Sequence, residues 1–148
     1  MELSEYEARE ILDGAHAAWS CGDIDGSLSF YVEDLTYFCN TGGADGGPLQ
    51  ITGRSALREM LLEINKVADG ISVTDYFRFR DGVARATVEC FIRHRTTSHT
   101  LVGSYRQLVT YRGNKIARME EFHDAARMIT FWRMVSSVSP VESSLLVE

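Results

Sequence analysis

The 148-residue sequence has few cysteines, no long apolar run and a deficit of basic charge. Cys21, Cys39 and Cys90 are odd in number and form no Cys-x-x-Cys motif, which argues against a disulfide framework and a zinc site. No stretch approaches the ~18 apolar residues of a membrane span. The formal net charge of -6 does not suit a nucleic-acid binder, which must neutralise phosphates with basic residues. We therefore expect no nucleic-acid partner, no membrane partner and no bound metal.

A secretory signal is also missing from the N-terminal sequence. The opening MELSEYEARE is acidic, whereas a signal peptide has a basic segment followed by an apolar one. A cytoplasmic location is the expectation. With 45% apolar and 24% charged residues, the chain has the composition of a globular protein of one domain. We assign residues 1–135 to that domain and expect the Ser-rich residues 136–148 to be a flexible tail.

Apolar residues at helical spacing predict three helices in the first half of the chain. The first helix spans residues 4–21, with Ser4 and Glu7 as a capping box. Gly22 ends that helix, and Asp23 is expected to cap a short second one. The third helix is expected over residues 54–66, with an apolar stripe made by Leu57, Leu61 and Ile64.

Strand signals begin between the second and third helices. Residues 35–40, LTYFCN, indicate a strand with Leu35, Tyr37 and Cys39 on one face. The glycine-rich residues 40–53 that follow predict a long loop, which is either a surface connection or a lid over a pocket. From Gly70 onward the pattern predicts a meander of four strands, with tight hairpin turns at Asp81-Gly82 and Gly113-Asn114.

Alternation along these strands separates two faces of the predicted sheet. The inner face is small and apolar and carries a few polar groups, including Gln107. The outer face is mixed, because Phe91, Leu108 and Phe122 lie among arginines and glutamates. These large apolar residues are unfavourable as a solvent-exposed patch, whereas a polar rim around them suits a specific interface. We therefore expect a homodimer joined through the outer face.

The last strand runs directly into a helix. Residues 115–132 change from a period of two to a period of about 3.6 at Asp124, which is expected to be the helix N-cap. An apolar stripe follows in that helix, from Met128 and Ile129 to Trp132 and Val135. Strand alternation places Ile116 on the outer face. The same alternation places four residues on the inner face: Ala117, Met119, Glu121 and His123.

Three helices ahead of a curved antiparallel sheet predict an α+β fold, in which a cone-shaped sheet wraps around the N-terminal helices and a short helix closes the chain. Three segments resemble the ketosteroid-isomerase and nuclear-transport-factor superfamily, specifically its SnoaL-like polyketide-cyclase branch. They are WSCGDIDGSLSFYVEDLTYF, ITGRSALREM and MEEFHDAARMITFW. The resemblance covers roughly residues 6–134. It implies a cone with a ligand-binding cavity, a fold that serves isomerases, cyclases, dehydratases and non-enzymatic adaptors.

The resemblance places the functional positions of the isomerase on other residue types in this chain. The catalytic base aspartate falls on Cys39, and the oxyanion-donating tyrosine falls on Ala15. The protonated aspartate donor falls on Gln107, which can still donate a hydrogen bond. A pocket tryptophan falls on His123 and a small pocket residue on Glu121. The implied cavity therefore gains two ionisable groups.

Glu121 and His123 are the candidate catalytic pair, because residues two apart on a strand share a face and can reach one substrate. We expect Gln107, with a tyrosine at 37 or 105, to orient the substrate oxygen. Burial would raise the pKa of Glu121 and a nearby imidazolium would lower it, so the direction is open. The candidate substrate-binding residues are Gln107, Tyr37, Cys39, Tyr105, Val88, Met119 and His16.

Structural alternatives exist for the candidate residues. Glu121 could pair with an arginine, His123 could hydrogen-bond a helix end, and His16 could be a packed, satisfied histidine. Cys39 could be an apolar filler. His94 and His99 flank a hairpin tip and could face each other, but two histidines alone are a weak metal signal.

The expected function is a small enzyme that isomerises, cyclises or dehydrates an apolar oxygenated small molecule by acid/base chemistry, without a cofactor. The alternative is a non-catalytic dimeric module that binds a hydrophobic ligand or a protein. Glu121 with His123 separates the two, because an adaptor does not need both groups inside an apolar cone.

Overall fold

The computed structural model describes residues 2–43 and 45–136, so most of the expected tail, residues 137–148, lies outside the described residues. Its helices and strands confirm the expected α+β fold, with N-terminal helices, a curved sheet and a short C-terminal helix. In chain order they are α1 (Glu5–Ser20), α2 (Ile24–Leu28), β1 (Tyr31–Cys39), β2 (Leu49–Thr52), α3 (Arg54–Val67), β3 (Ala68–Arg80), β4 (Val83–His94), β5 (Thr100–Arg112), β6 (Lys115–Phe122) and α4 (Ala125–Ser136).

The six strands form one sheet in the order β2-β1-β6-β5-β4-β3. Strands β3 to β6 make the expected antiparallel meander. The pairing of β1 with β6 is parallel, and it corrects the expectation of a wholly antiparallel sheet. These two strands are distant in sequence, so no hairpin turn imposes their relative direction. The parallel register places Tyr37 opposite Met119 and Cys39 opposite Glu121.

Strand β6 contains a bulge that simple alternation did not predict. Thr110 pairs with Arg118, but Tyr111 pairs with Ile116, so Ala117 is an extra residue in β6. A bulge changes the face on which the preceding side chains lie. Ile116 is therefore fully buried, and its expected place on the outer face was wrong.

Strand β2 lies inside the segment that was expected to be a loop. Residues 49–52 pair antiparallel with β1, with Leu49 opposite Cys39, so the irregular part of this segment is shorter than expected. Strand β1 also begins four residues earlier than expected, at Tyr31. The exposed side chains of Glu33 and Asp34 interrupt the apolar alternation there, and Asp34 pairs with Arg112.

The helix caps agree with the sequence pattern. In the capping box, Ser4 Oγ accepts from the Glu7 backbone N–H at 3.1 Å, and the Glu7 carboxylate accepts from the Ser4 N–H at 2.9 Å. Asp23 accepts from the Gly26 N–H at 2.9 Å, and Asp124 accepts from the Arg127 N–H at 3.2 Å. A cap of this kind contributes about 1 kcal/mol to helix stability.

The hydrophobic core lies where α1 and α2 pack against the inner face of the sheet. Leu12 of α1, Leu35 of β1 and Ile116 of β6 are each fully buried in it. The core fills only part of the interior, and the remaining space is a cavity. In the described ranges 2–43 and 45–136, no helix is long and apolar enough to span a membrane.

Candidate active site

A cavity of about 660 Å³ lies between the inner face of the sheet and helices α1, α3 and α4. Its volume is in the range of sites for small organic ligands. The exposed lining residues mark its mouth, which lies between the loop after β1, helix α3 and helix α4; they are Gly42, Asp45, Glu63, Arg133 and Ser136. Much of the wall is aromatic or aliphatic, with Trp19, Tyr31, Leu57, Leu61, Ile64 and Trp132 among its residues.

Most of the sequence-predicted site residues line this cavity. They are Glu121, His123, Gln107, Tyr37, Cys39, Tyr105 and His16. Val88 and Met119 are on the inner face as expected, but they are buried in the packed interior and do not line the cavity. Neither residue reaches the cavity surface, which corrects the expectation that they contact a substrate.

The Glu121 carboxylate is held by groups from both neighbouring strands. Its Oε1 accepts a hydrogen bond from the Tyr37 hydroxyl of β1 at 2.8 Å and lies 3.2 Å from His123 Nε2. Its Oε2 accepts from the Gln107 amide of β5 at 3.0 Å. Within the described part of the chain no arginine contacts this carboxylate, so the arginine alternative was wrong. Since Oε2 accepts one bond and Oε1 two, Oε2 has more capacity left to accept a proton.

Glu121 and His123 form a partly buried ion pair. Burial alone would raise the pKa of Glu121, but the hydrogen bond and charge of His123, together with the bonds from Tyr37 and Gln107, lower it below its ordinary value. Burial would lower the pKa of His123, yet its interactions with Cys39 and Glu121 raise that pKa to about 9. At neutral pH the pair is therefore a carboxylate beside an imidazolium. The pKa of Glu121 is shifted downward, a direction that the sequence left open.

Tyr105 fixes the ring of His123 from the other side. The two rings are stacked with centroids 4.1 Å apart and planes inclined by 20°. A protonated imidazole on a tyrosine face is stabilised by the ring electrons. The His123 side chain thus contacts Glu121 and Tyr105 rather than a helix end. Burial, followed by the charge of Glu121, raises the pKa of Tyr37 and Tyr105 well above the ordinary range, so both hydroxyls keep their protons.

Cys39 adds a third potential metal ligand beside the pair. One potential ligand atom from each of Cys39, Glu121 and His123 lies within 4.8 Å of the others, so this set could hold a metal ion. Metal binding would require His123 to lose its proton and Glu121 to change its hydrogen bonds. The ion pair and a metal therefore compete for the same atoms. Cys39 is thus a potential metal ligand, whereas the sequence also allowed it to be only an apolar filler.

His94 and His99 lie outside this cluster and outside the cavity lining. His94 is buried, and its Nδ1 lies 3.0 Å from Thr97 Oγ1 within the hairpin. The backbone N–H of His94 donates to the carbonyl of His99, whose side chain is exposed. Their contacts tie the β4–β5 hairpin together.

His16 and Gln107 each leave a buried polar atom without a hydrogen-bond partner. His16, on α1, is 7% exposed, and its Nδ1 lies 2.9 Å from Thr74 Oγ1. Within the part of the chain that the structure describes, His16 Nε2 and Gln107 Oε1 make no hydrogen bond. Burial lowers the pKa of His16, so this ring is neutral at pH 7. His16 is packed, as considered from the sequence, but one of its nitrogens is not satisfied.

Asn40 is a site residue that the sequence reasoning missed. Its side-chain amide donates to the His123 carbonyl at 3.0 Å and accepts from the His123 N–H at 2.9 Å. Its own backbone N–H donates to the Glu121 carbonyl at 3.1 Å. Asn40 was assigned to the start of a loop, and only the parallel pairing of β1 with β6 brings it beside His123. An amide side chain just beyond a strand end indicates a site residue only when the strand that pairs beside it is known.

No protein-family model and no curated protein matches this sequence. Solved structures do match its fold. A provisionally assigned polyketide cyclase from Xanthomonas campestris pv. campestris is 19% identical, with a TM-score of 0.75 over 86% of this chain and 97% of that chain. A protein of ketosteroid isomerase-like fold from Catenulispora acidiphila, in complex with trimethylamine, is 14% identical, with a TM-score of 0.74 over 88% and 98%. The chain has the NTF2-like, ketosteroid isomerase-like fold.

The NTF2-like fold confirms the architecture that the sequence resemblance implied. A further structure with this similarity is a LEH-like epoxide hydrolase of M. tuberculosis, which is 11% identical, with a TM-score of 0.70 over 90% of this chain and 96% of that chain. At these identities the similarity shows the fold alone, and an NTF2-like fold can carry many functions. The function must be argued from the residues in the cavity.

Proposed function

We propose that this protein is a small acid/base enzyme that acts on an apolar oxygenated molecule and needs no cofactor. Isomerisation, cyclisation and dehydration are the reaction types that suit it. One observation carries the proposal: a carboxylate and an imidazolium lie 3.2 Å apart on the wall of a largely aromatic and aliphatic cavity of about 660 Å³. A partly buried pair of opposite charges on the wall of a ligand-sized cavity is a typical site for proton transfer.

The pair supplies a base and an acid at the same time. In this proposal Glu121 Oε2 accepts a proton from a carbon or a hydroxyl of the substrate, and the His123 imidazolium donates one to a substrate oxygen once its Nε2–H leaves Glu121 Oε1. Together these two proton transfers leave a neutral carboxylic acid and a neutral imidazole. A second pair of transfers in the opposite direction, at another position of the substrate, restores the ion pair. No electrons leave the substrate, so the cycle requires no redox partner.

The Tyr37 hydroxyl and the Gln107 amide nitrogen have a role that the sequence did not predict. Both donate to Glu121, so these two groups orient the carboxylate, and the Gln107 amide oxygen is the atom left for the expected contact with a substrate oxygen. They also stabilise its charged form, which weakens Glu121 as a base but keeps it ionised beside His123. Proteins that share the fold include one provisionally assigned as a polyketide cyclase and one described as a LEH-like epoxide hydrolase, and the proposed substrate class is compatible with both descriptions.

The test is a pair of substitutions, Glu121→Gln and His123→Asn, assayed with a panel of ketones, phenols and epoxides of cavity size. A proton-transfer group is worth ~10² to 10⁴ in rate, so each variant should lose turnover by that factor. Glu120→Gln is the matched control, because Glu120 is the next residue on β6 and pairs with Arg118 instead. Thermal melts confirm that each variant is folded.

Two results separate this proposal from the alternatives. Folded variants with the turnover of the wild type would remove Glu121 and His123 from the mechanism. A wild type that turns over no compound, while ligand binding survives both changes, would favour a non-catalytic binding module. Dialysis against EDTA should leave turnover unchanged, because a proton occupies His123 Nε2 at neutral pH and competes with a metal.

A further inference from the structure

His16 on α1 and Gln107 on β5 lie on adjoining parts of the cavity wall. Both side chains line the cavity, and 7% and 3% of their surfaces are exposed. The amide orientation of Gln107 follows from its neighbour, because the Glu121 carboxylate only accepts hydrogen bonds and must face the amide nitrogen. The amide oxygen, Oε1, is therefore the atom that is buried without a donor.

The neutral ring of His16 provides the complementary atom. When the Thr74 hydroxyl donates to Nδ1, at 2.9 Å, the ring proton is on Nε2, and Nε2–H is a buried donor without an acceptor. A side-chain hydrogen bond with Gln107 is among the interactions that oppose the lowering of the His16 pKa, so the two side chains lie close together, although Nε2 and Oε1 do not meet the geometry of a direct hydrogen bond. A buried donor and a buried acceptor thus share one part of the cavity wall, and each costs free energy until it finds a partner.

We propose that a hydroxyl group of the substrate binds here, accepting a hydrogen bond from His16 Nε2–H and donating one to Gln107 Oε1. Of the common oxygen groups, only a hydroxyl satisfies both atoms, because a ketone or an ether accepts and cannot donate. The substrate class is therefore an alcohol, a phenol or an enol. Without substrate, a water molecule can take the same place.

This hydroxyl subsite rests on the proposed function, and it specifies the class of substrate that the site would bind. Gln107 contacts the hydroxyl through its oxygen and Glu121 through its nitrogen, so one amide places the substrate beside the proton-accepting carboxylate. A site built to hydrogen-bond a hydroxyl discriminates strongly against an analogue that lacks it, since buried polar atoms are then left unpaired.

Binding of two matched probes tests the subsite. The probes are 2-naphthol and 2-fluoronaphthalene, which have similar size but differ in the ability to donate a hydrogen bond. Calorimetric titration should show that the wild type prefers 2-naphthol and that His16→Phe lowers this preference by about tenfold, as expected for one lost hydrogen bond at a buried site. His99→Phe, which changes an exposed histidine, should leave the preference unchanged.

The His123→Asn variant separates the subsite from the proposed function, because it leaves the Glu121 carboxylate that orients the Gln107 amide. If the hydroxyl binds at His16 and Gln107, this variant loses turnover but keeps the preference for 2-naphthol. A preference that survives His16→Phe and disappears in His123→Asn would place the hydroxyl at the ion pair and overturn the subsite, with the acid/base proposal intact. A subsite preference in a wild type without turnover would support the subsite while the enzyme proposal fails.

A measurement on the unmodified protein avoids any effect of substitution on folding. Nitrogen-15 NMR of the imidazole rings distinguishes the two neutral tautomers, and the His16 signals are assigned as those lost in His16→Phe. The proposal requires the proton on Nε2. A proton on Nδ1 would make Nε2 an acceptor and would overturn the hydrogen-bond pattern.

Discussion

Asn40 and His123 are joined by two hydrogen bonds between a side-chain amide and a backbone peptide, at 2.9 and 3.0 Å. This arrangement continues the parallel pairing of β1 and β6 beyond the end of both strands. It fixes the backbone from which the His123 ring reaches Glu121. Asn40 touches no part of the ion pair with its side chain, so it is a positioning residue.

We predict that Asn40→Ala lowers stability by about 1 to 3 kcal/mol, because the N–H and carbonyl of His123 lose their partners in a half-buried place. If Asn40 had a purely structural role, the substitution would change stability alone. A positioning role also shifts the NMR titration of His123 toward its ordinary pKa, and it reduces turnover more than substrate affinity. Asn65→Ala, on α3, is the control, and an unchanged His123 titration in Asn40→Ala would contradict the positioning role.

The ion pair predicts how stability depends on pH. The pKa of His123 is raised from 6.5 to about 9 on folding, so its contribution is complete below pH 6.5 and is lost as the pH rises through about 9. A shift of that size corresponds to on the order of 3 kcal/mol. The pKa of Glu121 is lowered from 4.5, so its contribution is present above pH 4.5 and is lost in more acid solution.

Urea denaturation at a series of pH values measures this dependence. The free-energy difference between wild type and His123→Asn should be largest between pH 4.5 and 6.5 and should shrink toward pH 9. Glu120→Gln should keep the alkaline limb of the wild type. A difference that stays constant from pH 6 to 10 would show that His123 is neutral in the folded protein.

The outer face of the sheet supports the expected homodimer, which we propose is formed by two copies meeting through this face. Ile71, Phe91 and Val102 lie directly opposite one another on β3, β4 and β5, and two of them are exposed, by 46% and 55%. Phe122, which contacts the Phe38 ring, is 42% exposed on β6. Charges of both signs lie around these residues, as a self-complementary interface requires.

Light scattering at micromolar concentration should give twice the chain mass of 16.6 kDa. Arg106→Glu should shift the protein toward the monomer, because Arg106 is exposed on β5 directly opposite Phe122. Lys66→Glu changes the net charge equally on helix α3 and should leave the mass unchanged. A monomeric wild type would exclude the interface.

The loop after β1 is expected to open the mouth of the cavity. Gly42, Gly43 and Gly46 line the cavity, and Gly46 has a positive φ of 81°. A Cβ on Gly46 would lie 2.6 Å from Ile129, so the loop packs closely on α4. Few of its groups are in regular structure, which favours opening.

Hydrogen exchange should therefore be faster for the amides of Gly43 and Gly46 than for those of the paired residues 49–52, and bound 2-naphthol should slow it. The exchange of β4 serves as the internal reference. Equally slow exchange in the loop and in β2 without ligand would show that the loop does not gate the cavity.

Much of the fold was predictable from local signals. The capping box of α1, the hairpin glycines and the alternation of Gln107, Glu121 and His123 are encoded within short windows, and the structure confirms them. The expected inner face of β1 was also right, because Leu35, Tyr37 and Cys39 are all buried.

The remaining features depend on contacts between distant segments. Nothing in a short window shows that β1 pairs in parallel with β6, so neither the role of Asn40 nor the donation from Tyr37 to Glu121 was predicted. The bulge at Ala117 has the same origin, because it exists only relative to the paired strand. The unpaired atoms of His16 and Gln107 require the positions of α1 and β5 together.

The measurement that tests the central claim most directly is an NMR titration of the His123 ring in the wild type and in Glu121→Gln. A carboxylate–imidazolium pair inside the cavity predicts a His123 pKa of about 9 in the wild type and a clearly lower pKa once the carboxylate is removed. A His123 ring that titrates near 6.5 in both proteins would show that the two residues do not form an ion pair, and it would contradict the proposed acid/base site.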